Sequence, residues 1–185
     1  MTGIDRQDAA SALSDIDAVV RRVRQSRIYA TASLILVMWG VLVFIGYCAS
    51  YWRLRDAGPI WFAIDLLGIV GSFVLGRFNR AGQGARSFDL RVLAAIVLFV
   101  AFGLFCSIAL GHFNARQLGT FWPIYVMLFY SLAGLWFGRA FVVIGLSVTA
   151  LTLVGYFYLG NAFELWMAFV DGGGLILGGL WMRRS

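Results

Sequence analysis

The sequence predicts an all-α fold, an integral membrane bundle of six transmembrane helices with an N-terminal cytoplasmic amphipathic helix. Three observations predict it: 61% of the 185 residues are hydrophobic, only 13% are charged, and the apolar residues fall into six long runs. A soluble domain is about half apolar and about a quarter charged. This chain, with a mean hydropathy of +0.84, has too little polar surface to cover a water-soluble globule. Its natural solvent is lipid.

A helix needs about 20 apolar residues to cross roughly 30 Å of hydrocarbon. The runs cover approximately 28–51, 59–76, 92–111, 121–138, 141–160 and 163–182, giving a transmembrane domain over 28–185. Within lipid each backbone amide must be bonded inside its own segment, so these runs are helices. They lack the alternation and turn spacing of barrel strands.

Arginine sets the orientation, because cytoplasmic loops are enriched in basic residues. The chain has fifteen arginines and no lysine. Twelve fall in the N-terminal segment, the second and fourth loops and the tail; Arg53, Arg55 and Arg116 fall on the other side. Both termini are therefore expected in the cytoplasm, which an even number of spans also requires. Trp52, Trp61, Trp122 and Trp166 lie near the expected outer interface, and Trp136 and Trp181 near the inner one. The net charge of +6 comes from residues flanking spans, so direct nucleic-acid binding is not expected. No cleavable signal peptide is expected, since the first apolar run is too long for one.

Residues 1–27 read as a cytoplasmic amphipathic helix, the only sizeable extramembrane segment. Thr2 to Asp5 has the form of a capping box. Ala9, Leu13, Ile16, Val20 and Val23 then form one apolar stripe. It could lie on the membrane surface, dock on a cytoplasmic protein or a second copy, or have no role. Arg21, Arg22, Arg24 and Arg27, with Arg77 and Arg80 beyond the second span, are candidate contacts to a partner or to anionic lipid. The Arg77–Arg91 segment, with Gly82 and Gly84, reads as a flexible turn and not as a phosphate loop, because no Gly-Lys-Ser/Thr follows.

Two acids interrupt the spans. Asp65 and Asp171 both lie in helices running inward, about 9–12 Å below the outer boundary at ~1.5 Å per residue. Each is followed three residues later by a glycine and twelve residues later by an arginine. That pattern fits a duplicated hairpin, or simply two spans of one direction. Ionisable groups in spans usually face a partner or a wet cavity. Asp65 and Asp171 are thus candidates for a proton or cation site, for a structural hydrogen bond between helices, or for hydrated positions near the interface. Gly68, Ser72 and Gly76, and likewise Gly174 and Gly178, are spaced by four and suit close helix packing. The second and sixth helices are expected to pack tightly, plausibly on each other, where the two acids could share a proton. Pro123 is placed in the first turn of its helix, and Glu164 at a solvated mouth.

Cys48, Cys106 and His112 lie at similar depth and are read as packing and interfacial residues ahead of a metal or redox cluster. No cofactor or metal is expected. No hydrolase, protease or transferase motif is present, so an enzyme is not expected.

The stretch from Leu34 to Gly40, Phe121-Trp122-Pro123, and Gly134-Leu135-Trp136-Phe137-Gly138-Arg139 resemble small, uncharacterised bacterial polytopic membrane proteins. Such proteins are often encoded beside winged-helix transcriptional regulators. The resemblance implies a bacterial inner membrane location and a regulatory or accessory role, and it carries over no functional residue. The expected function is a non-enzymatic accessory or sensory membrane protein acting through its cytoplasmic face. The alternative is a small proton- or cation-coupled transporter or channel using Asp65 and Asp171.

Overall fold

The computed structural model describes residues 6–80 and 90–184. The described chain is helical with short connections, and six of its helices are long and apolar enough to cross a membrane. Helix α1 (Arg6–Trp52) is a single uninterrupted element of 47 residues. It runs through residue 27 without interruption: no proline or glycine precedes Gly40 within it, so nothing stops helical hydrogen bonding ahead of the apolar run. The proposed capping box at residues 2–5 lies outside the described residues, as does most of the Arg77–Arg91 segment. Helix α2 (Ala57–Arg80) carries Arg77 and Arg80 on its last turns, where Arg77 is exposed.

Helix α3 (Leu90–Leu104) continues as a π-helical stretch, Phe105–Leu110. Helix α4 (Ala115–Phe137) starts six residues before its expected apolar run. A capping box explains the early start: the Asn114 side chain accepts from the Gln117 N–H, and the Gln117 side chain accepts from the Asn114 N–H, both at 2.9 Å. Pro123 is consequently the ninth residue of α4, buried and well past the first turn. Helix α5 (Arg139–Tyr158) follows after Gly138, whose φ of 134° is a conformation that L side chains rarely adopt. The sixth span, α6 (Phe163–Arg184), is α-helical at both ends and π-helical over Ala168–Gly173.

Close approaches at glycines order the bundle. A Cβ on Gly172 would sit 2.7 Å from the Phe44 backbone, one on Gly40 would sit 2.7 Å from the Gly172 carbonyl, and one on Gly179 would sit 2.9 Å from the Ser33 carbonyl. Helices α1 and α6 therefore run antiparallel with their backbones nearly touching. Gly145 and Gly134 give α4 and α5 the same closeness, against Ser131 and Val142. Val148 packs on Gly174 and Ile144 on Gly178, joining α5 to α6. These four helices share the core of Leu36, Met127, Phe141, Ile144, Val148, Leu175 and Met182.

Helices α2 and α3 sit outside that core. Helix α2 rests on α1 through Trp39, whose indole covers Gly68 and donates to Ser72 Oγ at 3.0 Å. Helix α3 leans on α4 through rings: Phe99 stacks on Tyr125 at 4.2 Å, and the Tyr125 hydroxyl donates to the Phe99 carbonyl at 3.1 Å.

Candidate functional site

The structure separates the two membrane aspartates. Asp65 is exposed on α2, near the middle of its span. Asp171 is 5% exposed, inside the π-helical stretch of α6. The expected pairing of α2 with α6 is replaced by α1, which lies between them: Gly68 meets Trp39 of α1, and Gly172 meets Phe44 of α1. A proton shared between Asp65 and Asp171 has no geometric basis. The duplicated-hairpin pattern is not matched in detail either, since α2 is regular throughout while α6 contains the π stretch.

The remaining small residues divide the same way. Ser72 donates to the Gly68 carbonyl at 2.7 Å while accepting from Trp39. Gly76 has open space where a Cβ would be. Gly174 and Gly178 lie against α5. Arg21, Arg22, Arg24 and Arg27 lie on α1 ahead of its membrane-spanning part.

Asp171 is the polar centre of the core. Tyr47 of α1 and Tyr130 of α4 lie within electrostatic range of its carboxylate. Thr152 of α5 is fully buried, and its Oγ1 has no hydrogen-bond partner among the described residues. A π turn inserts one residue into a helix and re-aims those around it, a device frequent at functional sites.

Tyr47 has a second task that the sequence reading missed. Pro123 has no N–H, so the Gly119 carbonyl four residues earlier loses its helical partner. The Tyr47 hydroxyl donates to that carbonyl at 2.8 Å and supplies the missing bond across the bundle. The signal was available as a proline inside an apolar run, and was obscured by a helix start placed six residues too late.

Arg116 was likewise counted only as a loop charge. It is half-buried and caps α5: its Nη2 lies 2.6 Å from the Tyr156 carbonyl and 3.0 Å from that of Leu159. A cation at a helix C-terminus satisfies orphan carbonyls and complements the dipole. The guanidinium also lies over the Tyr156 and Phe163 rings, at 5.5 and 5.1 Å. Glu164, expected in solvent, is half-buried within electrostatic range of Arg116.

Cys48 and Cys106 are free thiols, half-buried, and His112 is exposed in the turn after the π stretch of α3. Among the described residues no group of three His, Cys, Asp or Glu side chains could hold a metal ion.

These features define a class: an all-helical, multi-pass membrane protein with a four-helix core and, among the described residues, one buried acid. No family model matches the chain, and neither the curated proteins nor the solved structures compared with it give a match.

Proposed function

We propose that this protein is a non-enzymatic accessory or sensory protein of the bacterial inner membrane, working through a cytoplasmic face that carries both termini. The observation that carries this reading is the continuity of α1. One helix runs from a stretch where Leu13, Ile16, Val19 and Val20 are exposed to the contacts of Gly40, Phe44 and Tyr47 with the core. A rigid rod of this kind couples events at one end to packing at the other. The exposed apolar residues precede Arg21, Arg22, Arg24 and Arg27 in the sequence, a composition suited to a cytoplasmic protein, a second copy or anionic lipid. The Arg distribution supports the cytoplasmic assignment.

The test is recovery of partners from native membranes. Full-length protein is expected to retain a soluble partner that a variant lacking residues 1–27 does not, with both inserted equally. Identical recovery from both sinks the reading.

A second reading, proton- or cation-coupled transport, is favoured by one observation: the burial of Asp171 in the core. Asp65 stands on the outer surface of the bundle and lines no common route with it. Asp171→Asn is expected to abolish flux on this reading, and normal flux in a folded variant removes it.

A further inference from the structure

Helices α5 and α6 meet along two glycines, and the missing side chains leave a groove. Val148 and Ile144 of α5 close on Gly174 and Gly178 of α6. On the open side of that contact lies a depression of about 260 Å³, lined by apolar residues with Ser147 as its one hydroxyl. Ile144, Val148 and Gly178 are buried at its floor. Val143 and Leu151 on one helix, and Leu177 and Trp181 on the other, are exposed along its rims. From Val143 to Leu151 α5 rises about 12 Å, and from Val170 to Trp181 α6 rises about 16 Å, at ~1.5 Å per residue. That is the depth of one leaflet, half of roughly 30 Å of hydrocarbon.

The groove opens at one end onto positive charge. Ile144 meets Gly178, so the start of α5 and the finish of α6 share one end of the bundle. There Arg139 is one turn before Val143 on α5, and Arg184 is one turn beyond Trp181 on α6. Both arginines are exposed, and neither has an ion pair or hydrogen bond among the described residues. No acid on these helices offsets them: α4 and α5 contain none, and Asp171, the nearer acid of α6, is ten residues before Trp181. The first turn of α5 has no side-chain cap, so its free N–H groups and dipole add to the same positive field. Trp181 stands between the apolar groove and the arginines, as tryptophan does at a membrane–water boundary. An apolar slot one leaflet long, with two unpaired arginines at its mouth, matches a molecule with an acyl chain and an anionic head. Basic pockets between membrane helices hold such headgroups.

We propose that the groove between α5 and α6 binds one anionic phospholipid, with an acyl chain along Val143, Leu151 and Leu177 and the headgroup phosphate held by Arg139 and Arg184. The site is independent of the cytoplasmic partner proposed above, because it uses none of residues 1–27. The lipid bridges α5 and α6, so its binding strengthens their contact.

The experiment is native mass spectrometry of the full-length protein, stripped of lipid in detergent and titrated with dioleoyl phosphatidylglycerol or dioleoyl phosphatidylcholine. One phosphatidylglycerol is expected to bind roughly tenfold more tightly than one phosphatidylcholine, because each arginine near the surface favours net negative charge. Replacing both arginines, Arg139→Gln with Arg184→Gln, is expected to remove the preference. Ser147→Trp fills the groove and alters no charge, and it is expected to weaken binding of both lipids. Circular dichroism checks the helix content of each variant, and Ser147→Trp carries the test if loss of both arginines disturbs folding. Equal affinity for the two lipids overturns the proposal. A preference that survives loss of both arginines overturns it too and moves the site to another arginine cluster. Undiminished lipid binding in Ser147→Trp, or full displacement of phosphatidylglycerol by inorganic phosphate, overturns it in favour of a simple anion site.

Discussion

Asp65 and Asp171 look alike in the sequence and stand in different surroundings in the structure. Each is the lone acid of the apolar part of a span that runs antiparallel to α1, with a glycine three residues on and an arginine twelve residues on. Asp65 lies on α2, a helix packed on α1 with 11% of its span buried; Asp171 lies on α6, with 50% buried. What distinguishes them is which helices their own helix touches, and spacing along one segment does not encode that. Asp65 is an exposed group on the surface of the bundle, whereas Asp171 is a core group enclosed by α1, α4 and α5.

The largest effect that can break this comparison comes from backbone contact. Gly172→Leu would drive a side chain into the Phe44 backbone, 2.7 Å from where its Cβ would lie. It is expected to abolish folding, read as loss of a monodisperse protein in detergent. Gly76→Leu on α2, where a Cβ meets nothing within 4 Å, is expected to leave the protein intact. Equal damage from both would place α2 inside the core.

A smaller effect tests the tie between α1 and α4. Tyr47→Phe leaves the Gly119 carbonyl without a donor and is expected to cost about 1–3 kcal/mol. In a Pro123→Ala background the restored N–H at position 123 bonds that carbonyl within α4, and the cost of Tyr47→Phe is expected to shrink. A double-mutant cycle in a denaturing detergent titration measures the coupling. Strict additivity would show that Tyr47 does not replace the bond removed by Pro123.

Arg116→Ala removes the cap on α5 along with two ring contacts, and about 1–2 kcal/mol is expected from lost charged hydrogen bonds. Arg116→Lys is expected to recover only part of this, because an ammonium cannot spread over several carbonyls as a guanidinium does. Full rescue by lysine would reduce the role to charge alone. Smallest of all, Asp65→Asn on the open face of α2 is expected to change stability by within about 0.5 kcal/mol.

Much of the architecture was legible because the membrane imposes it. Six runs of sufficient length and apolarity leave helices as the only solution. The starts and interruptions were not legible from hydropathy. The Asn114–Gln117 capping box extends α4 outward into polar sequence, which moved Pro123 from a harmless first turn to a position needing Tyr47. The π stretch at Ala168–Gly173 leaves no hydropathy signature either, yet it contains the buried Asp171. Asp65 and Asp171 were both found as candidates because ionisable residues in apolar runs are conspicuous. Their separation was invisible because α1 is the helix they share, and its small-residue contact, Gly40, lies in a run dominated by large side chains.

The most direct test of the comparison is labelling by a hydrophobic carbodiimide, which reaches carboxyl groups from the lipid phase. Native membranes would be treated and the modified residues mapped by peptide mass spectrometry, before and after denaturation. Modification of Asp65 in the native protein, with Asp171 reacting only after unfolding, is the predicted result. Native labelling of Asp171 to the same extent as Asp65 would contradict the enclosure of α6 by α1, α4 and α5.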